Sequence, residues 1–320
     1  MAGEKMETGL TFLFFAIGLC IIIKGGDLFV DGAVWIAYKT GIPSAIVGAT
    51  VVSIATTLPE LFVSTVASNE GYSDMALGNS IGSTICNIAF ALGICALIKP
   101  IKIKSKFFGI KGFMMIAYLI IFFFFALNGV VTHKEGLILI LLFLVFIGLN
   151  IIELKENDIN KNKKVKKTFS KRENIINIIK FIIGSWFIVI GAHILVDTGV
   201  KIAYILKIPK QVVSLTLLAI GTSLPELVTS ISAIMKDEDS MSVGNILGAN
   251  ILNLTIVLGI SSLVSDNGLI VQRQTVFLDL PISLLVMLLF VFKGIFKNEI
   301  DRKLGGLLLA IYIIYLIILF

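Results

Sequence analysis

ATTLPE, residues 55–60, breaks an otherwise apolar run with two hydroxyls, a proline and a carboxylate, and GTSLPE repeats the break at 221–226. The flanks are copied too. FVDGAVWIAYKTGIP (29–43) matches LVDTGVKIAYILKIP (195–209), and LGNSIGSTICNIAFALGI (77–94) matches VGNILGANILNLTIVLGI (243–260), all at one offset of 166 residues without a gap. About 27 of the 65 positions from 30 to 94 are identical in the two copies, more than shared hydrophobicity alone provides. The chain is an internal duplication, and whatever the break does is built twice.

Of the 320 residues 57% are apolar and only 15% charged, against roughly a quarter charged in soluble domains. The charges fall in short blocks between apolar runs long enough to cross a bilayer, which takes about 20 residues. The composition therefore predicts an all-α polytopic membrane protein. Apolar runs and their Gly, Pro and charge punctuation place ten transmembrane helices near 8–39, 45–69, 74–98, 108–128, 135–153, 174–206, 211–235, 241–264, 274–293 and 301–319. No cleaved signal peptide is expected, because the first run lacks a short apolar segment followed by a small-residue cleavage site. Cys20, Cys86 and Cys95 all lie inside apolar spans and do not suggest a disulfide framework. Two histidines, His133 and His193, are too few for a His-based metal centre. The net charge of +6 is concentrated in loops, so it reads as topology and not as nucleic-acid binding.

Lysine and arginine in the loops set orientation. Lys99, Lys102, Lys104, Lys106 and Lys111, then KNKKVKK with Lys171 and Arg172, then Lys293, Lys297, Arg302 and Lys303 fall on one side of a ten-span chain. That side is expected to be cytoplasmic, with both termini extracytoplasmic, in a multi-pass cell (plasma or inner) membrane protein. The expected plan is a first five-helix repeat (1–153), a basic cytoplasmic linker (154–173) and a second five-helix repeat (174–320). Five is odd, so the second repeat must be inverted relative to the first. Inverted repeats build alternating-access transporters, with the substrate site at the repeat interface near mid-membrane.

A proline removes a donor from the carbonyl four residues back, here Ala55 for Pro59 and Gly221 for Pro225. A carbonyl freed in hydrocarbon costs several kcal/mol unless something binds it, and a cation would. Ser53, Thr56 and Glu60 fall on one helical face with Thr57 beside them; Ala219, Thr222, Glu226 and Ser223 are the equivalents. The next helix adds the four-spaced stripe Asn79, Ser83, Asn87 and its partners Asn245, Ala249, Asn253. If the helices meet centrally, two carboxylates, hydroxyls, amide oxygens and carbonyls form a hard-oxygen cage suited to Ca²⁺ or an alkali cation, with no thiolate or imidazole for softer metals. A lone proline kink is commonly only structural, but a mid-membrane glutamate costs about 2.5–3.5 kcal/mol or more. Repetition of the whole constellation favours the site.

GATVVSIATTLPELFVS with GNSIGSTICN, and LTLLAIGTSLPELVTS with GNILGANILN, resemble the two α-repeats of the sodium/calcium exchanger family, prokaryotic type, within the cation/Ca²⁺ exchanger superfamily. The resemblance covers the ten-helix plan and is sharpest over 42–94 and 208–260. It implies Glu60 and Glu226 as the main cation carboxylates, with ligands from Thr56, Thr57, Ser83 and Asn87, from Thr222 and Ser223, and from the Ala219 and Ser53 carbonyls. Asn253 stands where many members carry an acid, and Ala249 where a serine is usual. The cage then carries −2, enough to balance one Ca²⁺, and Ala249 lends no side-chain oxygen to a flanking Na⁺ site. Ca²⁺/H⁺ exchangers of the superfamily place a glutamate three residues after the GN dipeptide, where this chain has Gly82 and Gly248.

The reading is a secondary-active antiporter moving Ca²⁺ against Na⁺ through a shared central site, with no cofactor, the two ions as substrates, the bilayer as partner and a monomeric functional unit. Ca²⁺/H⁺ exchange is the alternative, because Glu60 and Glu226 could themselves carry protons. A passive channel fits inverted halves poorly, and no enzyme motif such as HExxH is present. The first and sixth helices lack the ligand motif and are the expected sliding elements. Lys24 and Asp27 are expected to neutralise each other, Asp31 and Asp197 to cap or snorkel at interfaces, His193 to be structural, and the acidic turns NEGYSD (69–74) and KDEDS (236–240) to be solvated.

Overall fold

Long helices carry the chain because lipid leaves no other partner for backbone N–H and C=O groups than the segment itself. The computed structural model describes residues 2–40, 50, 53–103, 105–159, 170–235, 237 and 239–320. Among them, nine helices are long and apolar enough to cross a membrane. They match nine of the ten expected spans; the second, 45–69, begins outside the described residues and is seen as Ser53–Thr56 and Leu58–Asn69.

Two helices run past their expected limits. His133–Ile159 continues six residues into the expected linker, and Lys171–Leu206 starts three residues before the predicted 174. The second start is fixed by a capping box in which Ser170 and Glu173 satisfy each other's backbone N–H, a local signal that hydropathy does not register. Half of the linker, 160–169, lies outside the described residues.

Four two-residue strands report the topology. β1 (Ile101–Lys102) pairs antiparallel with β4 (Glu299–Ile300), and β2 (Val130–Val131) with β3 (Leu269–Ile270). β1 and β3 follow the third span of their respective repeats, yet each pairs with the other repeat's late strand. The first ladder ties the 99–103 loop to the 298–301 loop, and the second ties 129–131 to 269–271 at the opposite ends of the helices. Only inverted repeats meet in that pattern. Two of the three basic loops consequently share a face.

Helices Ala2–Thr40 and Lys171–Leu206 pack along each other at glycines. A Cβ on Gly25 would lie 2.8 Å from the Ile188 nitrogen and 3.0 Å from the Gly184 oxygen, so the backbones approach as closely as small-residue stripes allow. Asp31 on the first helix also takes Lys180 Nζ at 2.6 Å, an ion pair where interfacial capping was expected. The Asp27 side chain lies outside what is described. Gly25→Leu is expected to part the two helices, at a cost of about 1–3 kcal/mol for overpacking, and to lower the thermal midpoint in detergent by several degrees; an unchanged midpoint would show that the contact is not structural.

Two buried charges brace the outer helices. Lys111, 7% exposed, donates to Asn150 Oδ1 at 2.7 Å and pairs with Glu153. Asp279, fully buried, accepts from Tyr315 Oη at 2.9 Å and Gln211 Nε2 at 3.0 Å. Lys111 follows the rule that intramembrane charges are paired, whereas Asp279 is held by neutral donors alone among the described residues. The 236–240 turn corrects its expectation in part: Asp237 is exposed and pairs with Lys99, but Asp239 is only 4% exposed. It begins the helix Asp239–Leu252 and is packed against β1, where the Lys102 N–H reaches its Oδ2 at 3.3 Å.

Candidate cation site

Each TLPE and SLPE break is a real discontinuity. The helix Ser53–Thr56 ends at Thr57 (φ −83°, ψ −1°), and Leu58–Asn69 begins with proline in its first turn. In the second repeat Ala219–Thr222 ends at Ser223 (φ −82°, ψ 1°), and Leu224–Met235 follows. Thr57 and Ser223 thus hold the same bridge-region backbone, which turns their hydroxyls out of the helix ladder. Proline tolerates the first turn of a helix because the N–H it lacks has no partner there. The duplicated proline therefore starts a new helix, with the glutamate in its first turn.

The hydroxyls cross the interface. Thr57 Oγ1 donates to Glu226 Oε1 at 3.3 Å, and Ser223 Oγ donates to Glu60 Oε1 at 3.3 Å. The preceding threonines repeat the exchange one step away: Thr56 Oγ1 donates to Asn245 Oδ1 at 3.3 Å and Thr222 Oγ1 to Asn79 Oδ1 at 3.2 Å. Each repeat's break thus touches the other repeat's carboxylate and the first asparagine of its stripe. Glu60 and Glu226 are completely buried, and the exchange brings the two breaks together at one centre.

Asn87 and Asn253 complete the set. Both are completely buried near the start of equivalent π-helical segments, Cys86–Leu92 and Asn253–Val257, a local widening frequent at functional sites. Among the described residues neither amide has a hydrogen-bond partner on its oxygen or its nitrogen, and Oε2 of both glutamates is likewise buried and unpartnered. Most buried polar groups in native proteins are bonded, and orphaned ones cost about 1–3 kcal/mol each, more when charged. Six such atoms, four of them oxygens, on four repeat-related residues mark the place where the fold leaves oxygen uncommitted.

The other expected residues divide. Ser83 Oγ lies 3.4 Å from Thr222 Oγ1, beside the carboxylates; its equivalent Ala249 is buried and has no hydroxyl. The Ser53 and Ala219 carbonyls each accept the helical N–H four residues on, from Thr57 at 3.0 Å and Ser223 at 3.1 Å, and the Ser53 hydroxyl turns back to Thr50 O at 3.2 Å. Asn79 and Asn245, placed on the stripe but not among the expected ligands, are cross-repeat ties. Asn79 also donates to Glu60 O at 3.2 Å and Ser64 Oγ at 3.0 Å, clamping the first turn that carries the carboxylate. The signal for this was present, because GN occurs at the same place in both copies. Its close approach depends on Gly82, where a Cβ would sit 2.8 Å from Ala219 Cβ and 3.0 Å from Leu215 O.

Comparison with known proteins identifies the family and fold. The family model for the sodium/calcium exchanger protein matches residues 10–152 and 176–320. Sodium/calcium exchanger MaX1 of Methanosarcina acetivorans is 30% identical, over 97% of this chain and 99% of its own length. The inner membrane protein YrbG of Escherichia coli is 30% identical over 95% of both chains. The solved sodium-calcium exchanger NCX_Mj, soaked with Na⁺ and Sr²⁺, superposes with a TM-score of 0.68 at 30% identity, covering 95% of this chain and 97% of that one.

Proposed function

Because the chain belongs to the sodium/calcium exchanger family, we propose that it exchanges Na⁺ for Ca²⁺ by alternating access through the site between its two breaks. The observation that carries this reading is the set of uncommitted oxygens: one on each glutamate and one on each of Asn87 and Asn253, all fully buried. Two carboxylates and two amides are a hard-oxygen set of charge −2, which one Ca²⁺ balances and which oxygen-preferring Na⁺ competes for. Glu60, Glu226, Asn87 and Asn253 are assigned as the primary ligands. Thr56, Thr57, Thr222 and Ser223 are assigned to orient them, Ser83 to serve a flanking Na⁺, and the Ser53 and Ala219 carbonyls, which already accept one backbone N–H each, to offer their remaining lone pairs.

Exchange follows from the charge. An empty pair of carboxylates in a low-dielectric core resists reorientation, so the protein moves only when loaded with one ion type or the other. The two long helices are one glycine-packed unit that meets the ligand-bearing core at Leu19, which sits directly on Gly221, and at His193, whose Nδ1 lies 3.5 Å from Glu70 Oε1. Sliding of that unit would uncover the site first on one face and then on the other. The loops joined by β1 and β4 are assigned to the cytoplasm from their lysines, which places the chain in a cell membrane with both termini outside and the 154–173 linker inside.

Proteoliposomes loaded with Na⁺ and diluted into Na⁺-free ⁴⁵Ca²⁺ test the coupling. Rapid uptake is expected, abolished when Na⁺ is equal on both sides and indifferent to an imposed pH gradient. Uptake driven by a pH jump without Na⁺ would replace this reading with Ca²⁺/H⁺ exchange, and uptake with no counter-ion would replace it with a channel.

A further inference from the structure

We propose that the cleft between the last two helices, Leu280–Lys297 and Arg302–Leu319, is a binding site for one anionic phospholipid of the membrane. The cleft has a volume of about 530 Å³ and is walled by Leu285, Leu289, Phe292, Phe296 and Leu307. These side chains are apolar throughout, and Phe296, 74% exposed, stacks on Phe292 at 6.0 Å and 9°. In a span that faces lipid, such a cleft takes an acyl chain.

Charge selects the headgroup. Three lysines line the same cleft where the two helices turn into each other: Lys293, Lys297 and Lys303. Lys293 is committed to Asp301 at 2.8 Å. Lys297 and Lys303 make no salt bridge among the described residues, although Lys303 lies within electrostatic reach of Asp301; they flank β4, whose pairing with β1 puts Lys102, opposite Glu299, and Lys99, paired with Asp237, on the same face. An apolar trough ending at a turn that carries four basic and two acidic side chains, a net charge of +2 over 293–303, fits a phosphodiester whose acyl chain lies in the trough. A zwitterionic lipid offers the same chain but sets a choline or ethanolamine cation against the lysines. Basic pockets between transmembrane helices are a known solution to anionic-lipid recognition, with each lysine near the surface contributing about 1 kcal/mol, about fivefold in binding. The inference is independent of which ions the central site exchanges.

Native mass spectrometry of the detergent-solubilised full chain, titrated with phosphatidylglycerol or phosphatidylcholine, is the test. One phosphatidylglycerol is expected to be retained about thirtyfold more tightly than phosphatidylcholine, and Lys297→Gln with Lys303→Gln should remove that preference. A control pair on exposed lysines outside the cleft, Lys155→Gln with Lys171→Gln, should leave it intact. Leu289→Trp, which fills the trough without changing charge, should weaken both lipids. Equal retention of the two lipids, an unchanged preference in the double variant, or an equal loss in the control pair would each overturn the proposal. So would a dimer mass that the double variant abolishes, because the cleft would then hold a second copy of the chain.

Discussion

Glu60→Gln and Glu226→Gln are each expected to reduce Na⁺-driven Ca²⁺ uptake by more than a hundredfold, with the double variant scarcely worse than either. The amide is isosteric and still accepts at the oxygen that Ser223 or Thr57 reaches, so the crossed hydroxyls survive and the loss isolates charge. A divalent ion about 4 Å from a carboxylate gains about 8 kcal/mol at an effective dielectric of 20, twice the value for a pair of unit charges. Removing the buried charge returns part of that through lower desolvation, and a net loss above about 3 kcal/mol still exceeds a hundredfold. The singles are not additive because the two residues form one cage of total charge −2. A −1 cage no longer balances Ca²⁺, whichever glutamate is lost. Folding is monitored separately by fluorescence-detected size exclusion, where a symmetric monodisperse peak is expected because a neutral amide costs the membrane core less than a carboxylate. Near-normal uptake by either variant would remove that residue from the site.

The membrane fold was legible because lipid makes the rules strict. Apolar length and charge punctuation mark spans, and an ungapped duplication with five spans per copy requires inversion. That Glu60 and Glu226 lie buried where the two breaks meet was legible for the same reason, because a repeated carboxylate in hydrocarbon has few uses. What periodicity could not deliver is which oxygens stay free. Asn79, Ser83 and Asn87 share one stripe, yet Asn79 is consumed by Thr222, Ser64 and the Glu60 carbonyl, while the Asn87 amide has no hydrogen-bond partner among the described residues. A π-helical segment beginning at Cys86 breaks the four-residue register that placed them together. Nor does local sequence reveal that each break serves the other repeat's glutamate, because that pairing exists only across 163 or 169 residues. Asp239 was misjudged for a related reason: a charged turn reads as solvated until a strand from the other repeat covers it.

Asn253→Asp should tighten Ca²⁺ relative to Na⁺ by at least tenfold, and the equivalent change Asn87→Asp should reproduce the direction of the effect. Both amides are completely buried with neither end bonded, so either replacement converts a neutral oxygen donor into a third carboxylate at the cage. Ca²⁺ gains twice what a single Na⁺ gains from one added charge, a difference of about 4 kcal/mol at 4 Å and an effective dielectric of 20. The cost of burying another carboxylate is common to both ions and cancels from the ratio. The two positions differ in what stands beside them: Ser83 lies one turn before Asn87, whereas Ala249 lies one turn before Asn253. A third carboxylate at 253 therefore has fewer hydroxyls within reach to share with a flanking Na⁺, and the Ca²⁺ preference should be larger there than at 87. Half-saturation for Ca²⁺ measured at several fixed Na⁺ concentrations separates the cases. If neither constant moves in Asn253→Asp while its uptake rate stays normal, that side chain does not face the ion. If Asn87→Asp alone responds, the ions sit on the first repeat's side of the pseudo-symmetric centre and the two amides are not equivalent ligands.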